Sequence, residues 1–219
     1  MDFVETLNKN AEELLKSDET IELLINSVRE AINGVTSLTA KRYFNDFNIG
    51  RKHAGLSTTL SKLILIELED RGWQLNYQLS TDNVLLKSSL YLFDAASIIE
   101  SNSRKILSLD IAFDNRQKLG TLLLKPEAAK ADHHKRLNNI DEIVCHVQVL
   151  ATKEFKEVVG IDSSACSYEE YIVASEIFEE VLSVPTVVIG LNNLEGVKLI
   201  QRKDANSRKK SQIIVEEQS

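Results

Sequence analysis

Little in this chain of 219 residues can staple it, break it or anchor it. It has two cysteines, two prolines and eight glycines. Cys145 and Cys166 form no metal-ligand spacing and no disulfide framework, so a reducing cytoplasm is the expected setting. There is no linker rich in proline or glycine, no internal repeat and no low-complexity segment, so a single domain over residues 1–219 is expected. No apolar run approaches the ~20 residues needed to cross a bilayer. The first residues, MDFVETLNKN, are acidic and polar, which argues against a secretory or transit signal. Cationic excess is also missing. With 26 basic against 33 acidic residues the net charge is −7, so there is no bulk attraction to nucleic acid, and any DNA contact needs a local basic patch.

What is present is enough apolar material for a core, 43% of the residues, arranged in periodic segments. The stripe Phe3, Leu7, Ala11, Leu14 and Leu15 predicts a helix over Asp2–Lys16. A second helix is expected from Asp18, with Ile21, Leu24, Ile25 and Val28 on one face and a glycine stop at Asn33-Gly34, so residues 1–34 read as a helical N-terminal part. Residues 35–55 are polar and irregular. A helix follows, capped by Ser57, striped by Leu60, Leu63, Ile64 and Leu68, and stopped by Gly72. Trp73–Leu79 alternates like a strand, while Asn83–Asn102 has mixed periodicity and fits either a strand plus a helix or one long helix.

The core lies at residues 105–192. Its segments run strand (KILSLDIAFD), strand (KLGTLLLK), helix (PEAAKADHHKR), strand (DEIVCHVQVLA), helix (SYEEYIVASEIFEEVL) and strand (VPTVVIGL). This predicts an α/β fold with a mixed central sheet flanked by helices, in which Lys105–Asp114 and Lys118–Lys125 pair as neighbours. Ile143–Leu150 and Val184–Leu191 join the same sheet. Residues 202–219 form a basic tail, with Arg202, Lys203, Arg208, Lys209 and Lys210, closed by the short β run QIIVE.

Four pieces of the chain resemble the PD-(D/E)xK nuclease core, and more narrowly the BamHI, BglII and BstYI branch of type II restriction endonucleases. GLSTTLSKLILIELEDRGW is similar to the helix that precedes the catalytic sheet. SLDIAFD resembles the strand that delivers the first metal-binding aspartate. DEIVCHVQVLATKEF looks like the next strand running into a polar helix start, and SYEEYIVASEIFEEVLSVPTVVIGLN like the closing acidic helix and its proline-initiated strand. The resemblance implies a restriction-endonuclease-like domain that binds double-stranded DNA as a homodimer and hydrolyses it with Mg²⁺. Dimer symmetry would match a palindromic site.

Chemistry of this class needs two or three carboxylates, often with a lysine, at one end of a sheet. Asp110 and Asp114 alternate onto one face with Ser108 and Ala112, while Leu107, Leu109, Ile111 and Phe113 take the other. The resemblance makes Asp110 or Asp114 the metal anchor. The next strand should then supply an acid, yet its positions read as Leu122 and Leu124, which cannot bind Mg²⁺. Glu127 is therefore the expected displaced ligand, and Lys125 the group that steadies water or phosphate. Each has an ordinary reading beside this one: polar residues on a half-exposed strand, a macrodipole-favouring glutamate, a strand-end lysine. Two basic groups are candidate DNA contacts, Lys41, Arg42, Arg51 and Lys52 in a polar loop, and Lys130, His133, Lys135 and Arg136 on a helix. A solvated surface explains them equally well. The two leucines keep a rival reading open, a catalytically inactive relative that binds DNA or a protein. An unrelated α/β scaffold is the third.

Overall fold

The computed structural model describes residues 1–47, 56–88, 91–100, 104–113, 119–135, 141–161, 164–203 and 209–215. Its elements run β1 (Asp2–Leu7), α1 (Lys9–Ser17), α2 (Glu19–Gly34), α3 (Ser37–Phe47), α4 (Leu56–Asp70), β2 (Gln74–Tyr77), β3 (Phe93–Glu100) and β4 (Lys105–Ile111). There follow α5 (Leu119–Lys135), β5 (Glu142–Ala151), α6 (Lys153–Val159), α7 (Tyr168–Ile177), β6 (Thr186–Asn193), β7 (Val197–Lys203) and β8 (Lys209–Val215). Six strands form one mixed sheet in the order β1-β6-β5-β4-β3-β2, and β7 and β8 form a separate hairpin. The central strands β4, β5 and β6 are parallel, with β3 and β1 antiparallel at their flanks.

Alternation sorts the central strands onto two faces. Leu107, Leu109, Cys145, Val147, Val149, Val187 and Ile189 face the main core, built with α2, α4 and α6. The opposite residues face α5 and α7, in clusters that include Ile106, Ala112, Leu150, Val188 and Tyr171. Gly190 lies on this second face because a Cβ there would sit 2.6 Å from the ring of Tyr168. Gly72, at φ 86°, closes α4 in the left-handed conformation that the sequence predicts.

Four expectations need correction. Asp2–Leu7 is a strand, not the start of a helix. It supplies the antiparallel partner of β6, with Phe3 opposite Leu191 and Val4 opposite Gly190, and the helix begins only after the Asn8 cap. Ser37–Phe47, expected to be irregular, is the helix α3. Gly34 ends α2 without a left-handed turn, and a Cβ on it would meet Glu67 Oε2 at 2.9 Å. The fourth correction bears on function: Lys118–Lys125, expected as a strand, is helical over its described residues, 119–125. Leu119–Lys135 is one helix with Pro126 inside it, and its buried residues Leu122, Leu123, Lys125, Ala129 and Asp132 follow a helical period. The neighbour of β4 on that side is β3, from the segment with mixed periodicity.

Candidate active site

The β3–β4 ladder has Ala95 opposite Leu109 as its last pair towards the C-terminal end of β4. Beyond it two aspartates take over the bonding. The Asp94 N–H donates to Asp110 Oδ1 at 3.3 Å, and the Ile111 N–H donates to Asp94 Oδ2 at 2.7 Å. Each carboxylate thus satisfies a backbone donor on or beside the other strand, which holds the two acids together. Asn76, in the left-handed region at φ 50°, falls between the β2–β3 pairs Leu75–Ala95 and Tyr77–Phe93. The strands are therefore irregular where Asp94 stands.

Lys125 reaches this pair from α5. Its Nζ lies 2.7 Å from both oxygens of Asp110, donates to the Leu92 carbonyl at 2.8 Å, and sits 4.3 Å over the centre of the Phe93 ring. The carboxylate is 1% exposed and the lysine side chain 4%. Burying either charge alone would be costly, and their mutual attraction with the extra hydrogen bonds offsets that cost. Two carboxylates and one ammonium therefore meet at one end of a sheet.

A polar row continues beneath them. In register with β4, Ser108 lies opposite His146 and Asp110 opposite Gln148. Ser108 Oγ is 3.0 Å from His146 Nδ1, His146 Nε2 is 3.5 Å from Gln148 Oε1, and Gln148 Nε2 donates to the Asp110 carbonyl at 3.2 Å. Burial pushes the His146 imidazole down to about 4, so it is neutral at physiological pH. Burial also raises the Tyr171 phenol, with Asp110 among the nearby charges.

Of the residues singled out in the sequence, Asp110 and Lys125 come together. Asp114, Arg51, Lys52 and Arg136 lie outside the described residues, as does the side chain of Lys135. Glu127 has other partners: its oxygens accept from Val184 N–H at 2.6 Å and Ser183 Oγ at 2.8 Å, tying α5 to the approach of β6. A strand would set Leu122 and Leu124 on one face; in the helix they part, Leu122 buried and Leu124 60% exposed. Lys130 donates to the Ser183 carbonyl at 2.8 Å, and His133 stands 3.9 Å from Glu142. Arg42 on α3 is exposed beside Asp46, and Lys41 is half-buried. The residue that sequence reasoning missed is Asp94. Its signal was available, because FDAASIIE is strand-length and apolar and precedes KILSLDI by a turn.

A cleft of about 530 Å³ opens elsewhere, between β1, α5 and α7, lined by Glu127, Glu176, Glu179 and Glu180 among others. Asp94, Asp110 and Lys125 do not line it, and its acidity suits no polyanion. Among the described residues no three His, Cys, Asp or Glu side chains converge as a metal cage. Mg²⁺, however, is commonly held by one or two carboxylates completed by water and phosphate. Asp94 and Asp110 offer that pair of hard oxygen donors, so the residues present fit the ion.

Solved structures share this architecture. Restriction endonuclease BglII complexed with a DNA 16-mer matches with a TM-score of 0.61 at 16% identity, over 99% of this chain and 100% of that one. Free BglII matches with a TM-score of 0.52 at 15% identity, over 97% and 93% respectively. No family model matches the sequence, and no curated protein does. At such identities the likeness establishes the fold, a mixed α/β sheet of the restriction-endonuclease kind.

Proposed function

We propose that this protein is a Mg²⁺-dependent deoxyribonuclease that hydrolyses phosphodiester bonds of duplex DNA as a symmetric homodimer. The observation that carries this reading is the convergence of Asp94, Asp110 and Lys125 at one sheet end of a BglII-like fold. In this reading Asp94, on the strand that precedes β4, takes the part assigned to Glu127 from the sequence and supplies the acid that Leu122 and Leu124 cannot. Asp94 and Asp110 would hold Mg²⁺, which when bound supplies a Lewis acid at the phosphate and activates water. The Lys125 ammonium, kept on the spot by Asp110, the Leu92 carbonyl and the Phe93 ring, is placed to donate to a phosphoryl oxygen or to orient water. The surrounding apolar packing lowers the local dielectric and strengthens both interactions.

Contacts to the DNA backbone are proposed for Lys41, Arg42, Arg51, Lys52, Lys130, His133, Lys135 and Arg136. A second copy would cover α7 and its extension, where Val173, Ile177, Phe178 and Val181 are 50–72% exposed. Among the described residues no helix is long and apolar enough to cross a membrane, and both cysteines are buried thiols, in keeping with a cytoplasmic setting.

The rival is an inactive relative that binds DNA without cutting it. Its support is the closure of the site: both Asp110 oxygens are on Lys125. Plasmid cleavage with Mg²⁺ or Mn²⁺, against an EDTA control, decides between them. Metal-dependent nicking that disappears in Asp94→Ala and Asp110→Ala supports the nuclease. DNA binding without cleavage in either metal supports the rival.

A further inference from the structure

The hairpin β7–β8 differs from the rest of this acidic chain. Val197–Lys203 and Lys209–Val215 contain Lys198, Arg202, Lys203, Lys209 and Lys210 and no acidic residue. The register sets Arg202 opposite Lys210 and Lys203 opposite Lys209. Like charges directly opposite destabilise a strand pair. Here two such rungs follow one another in the register. A polyanion laid against the ribbon converts that repulsion into attraction.

The topology puts this ribbon at the right end of the sheet. Asp110 lies opposite Gln148, and Gln148 opposite Val188, so the three share a row across β4, β5 and β6. From Val188, β6 continues to Asn193, about 16 Å further at ~3.3 Å per residue. The chain turns through Leu194–Gly196, with Gly196 at φ 72°, and enters β7. The hairpin therefore leaves the sheet beyond the same end that carries Asp94 and Asp110. Its strand β8 packs against α3, the helix of Lys41 and Arg42, and β7 packs against α6. Two elements that carry basic residues, far apart in sequence, are thereby packed together.

We infer that the β7–β8 hairpin, with α3, is a backbone clamp for the duplex that is cut at Asp94, Asp110 and Lys125. This rests on the nuclease reading. Duplex DNA carries one negative charge per ~1.7 Å of axis, so even a few clustered cations gain from lying along it, and contacts of this kind position DNA without reading its sequence. Arg202, Lys203, Lys209 and Lys210 supply the local positive field that a net charge of −7 otherwise denies.

The test is fluorescence anisotropy of a labelled duplex, in EDTA and in Ca²⁺, across a salt series, for the parent and for the quadruple variant R202Q/K203Q/K209Q/K210Q. A thermal melt confirms that the variant is folded. Each phosphate contact contributes about −0.9 to the slope of log affinity against log salt, so the variant's slope should be shallower by up to about 3.6. Its affinity at low salt should fall by roughly 10-fold or more, alike for unrelated sequences. Equal slopes and affinities in parent and variant overturn the clamp while leaving the nuclease reading standing. A parent that binds no duplex sinks both. Binding to anionic lipid vesicles instead, lost in the variant, would assign the ribbon to a membrane surface and overturn the inference.

Discussion

Asp110 and Asp141 are both buried aspartates paired with a cation, yet they are held in opposite ways. Asp141, just before β5, receives three donors from three separate places. Arg104 Nε donates to Oδ1 at 2.7 Å, while Tyr77 OH and Ser80 N–H donate to Oδ2 at 3.0 and 2.6 Å. The donors are a planar guanidinium, a phenol and a main-chain amide, each with little freedom once the fold is formed. Burial, and then Asp141 itself, pushes the Tyr77 hydroxyl up to about 12, so it remains a donor at any physiological pH. Asp110 instead has both oxygens on one ammonium at the end of a flexible stem, with one amide added. The first arrangement fastens a loop and a strand entry together. The second keeps a carboxylate dry on a single flexible partner that can be exchanged, which is what the proposed metal-assisted chemistry would need.

The strongest break between the two is catalytic. Asp110→Ala or Asp94→Ala should lower cleavage by at least about 10³-fold, some 4 kcal/mol of transition-state stabilisation, while Asp141→Ala should leave kcat within a few fold at temperatures where it is folded. Single-turnover cleavage on a defined duplex measures this. A cleaving Asp94→Ala/Asp110→Ala double variant would remove the site from this sheet end.

Stability should separate them in the reverse order. Removing the Asp141 carboxylate leaves the Tyr77 hydroxyl and the Ser80 amide without this acceptor, at about 1–3 kcal/mol for each buried donor and some 2–4 kcal/mol together, while Arg104, 41% exposed, turns to water. For a chain of this size each kcal/mol shifts Tm by about 2–4 °C, so calorimetry of Asp141→Ala should show a fall of roughly 4–16 °C. A melt unchanged from the parent would mean that Asp141 is no fastening.

Acid should act on the floor of the Asp110 site. His146 has a folded pKa of about 4 against an ordinary value near 6.5, because burial disfavours the imidazolium. A depressed folded pKa means that the unfolded chain takes up a proton first. Stability is therefore whole above pH ~6.5, declines as pH falls, and levels off below about 4, a loss of roughly 3 kcal/mol. Urea titrations from pH 7 to 4 should show a shallower decline for His146→Gln than for the parent. Parallel declines would show that His146 already carries its proton in the fold.

How much of this was legible in the sequence follows from where polarity lies. β4, β5 and β6 alternate or run apolar as buried central strands do, and α2 and α4 carry clear stripes, so these elements and the place of Asp110 near the end of β4 could be read directly. Leu122-Leu123-Leu124 looked like a strand because the buried stripe of α5 contains a lysine. With Lys125 inside and Leu124 outside, hydropathy and burial disagree at adjacent positions. A strand there would put the second acid downstream of Asp110, at Leu122 or Glu127, whereas the carboxylate beside Asp110 is Asp94, upstream. β1 was missed for another reason: its strand character comes from the edge of β6, which no local pattern announces.

The smallest expected effect is the most discriminating. The double variant Asp110→Asn/Lys125→Met removes both charges of the Asp110–Lys125 pair and keeps the volumes. Replacing a buried ion pair by uncharged groups of similar shape is often neutral or stabilising, because two desolvation penalties disappear with the attraction. An asparagine can still accept the Asp94 N–H, and the methionine can rest on Phe93 where the ammonium lay. Denaturant unfolding should therefore change by about 1 kcal/mol or less, with no cleavage left. The matching change at the other pair, Asp141→Asn/Arg104→Met, must keep three donors satisfied with a weaker acceptor and should cost more. If both double variants lose several kcal/mol alike, Asp110 and Lys125 are as much a structural fastening as Asp141 and Arg104, and the difference drawn between the two aspartates fails. If only the Asp141 variant does, the charge at Asp110 is maintained at the expense of stability for chemistry, as active-site groups commonly are.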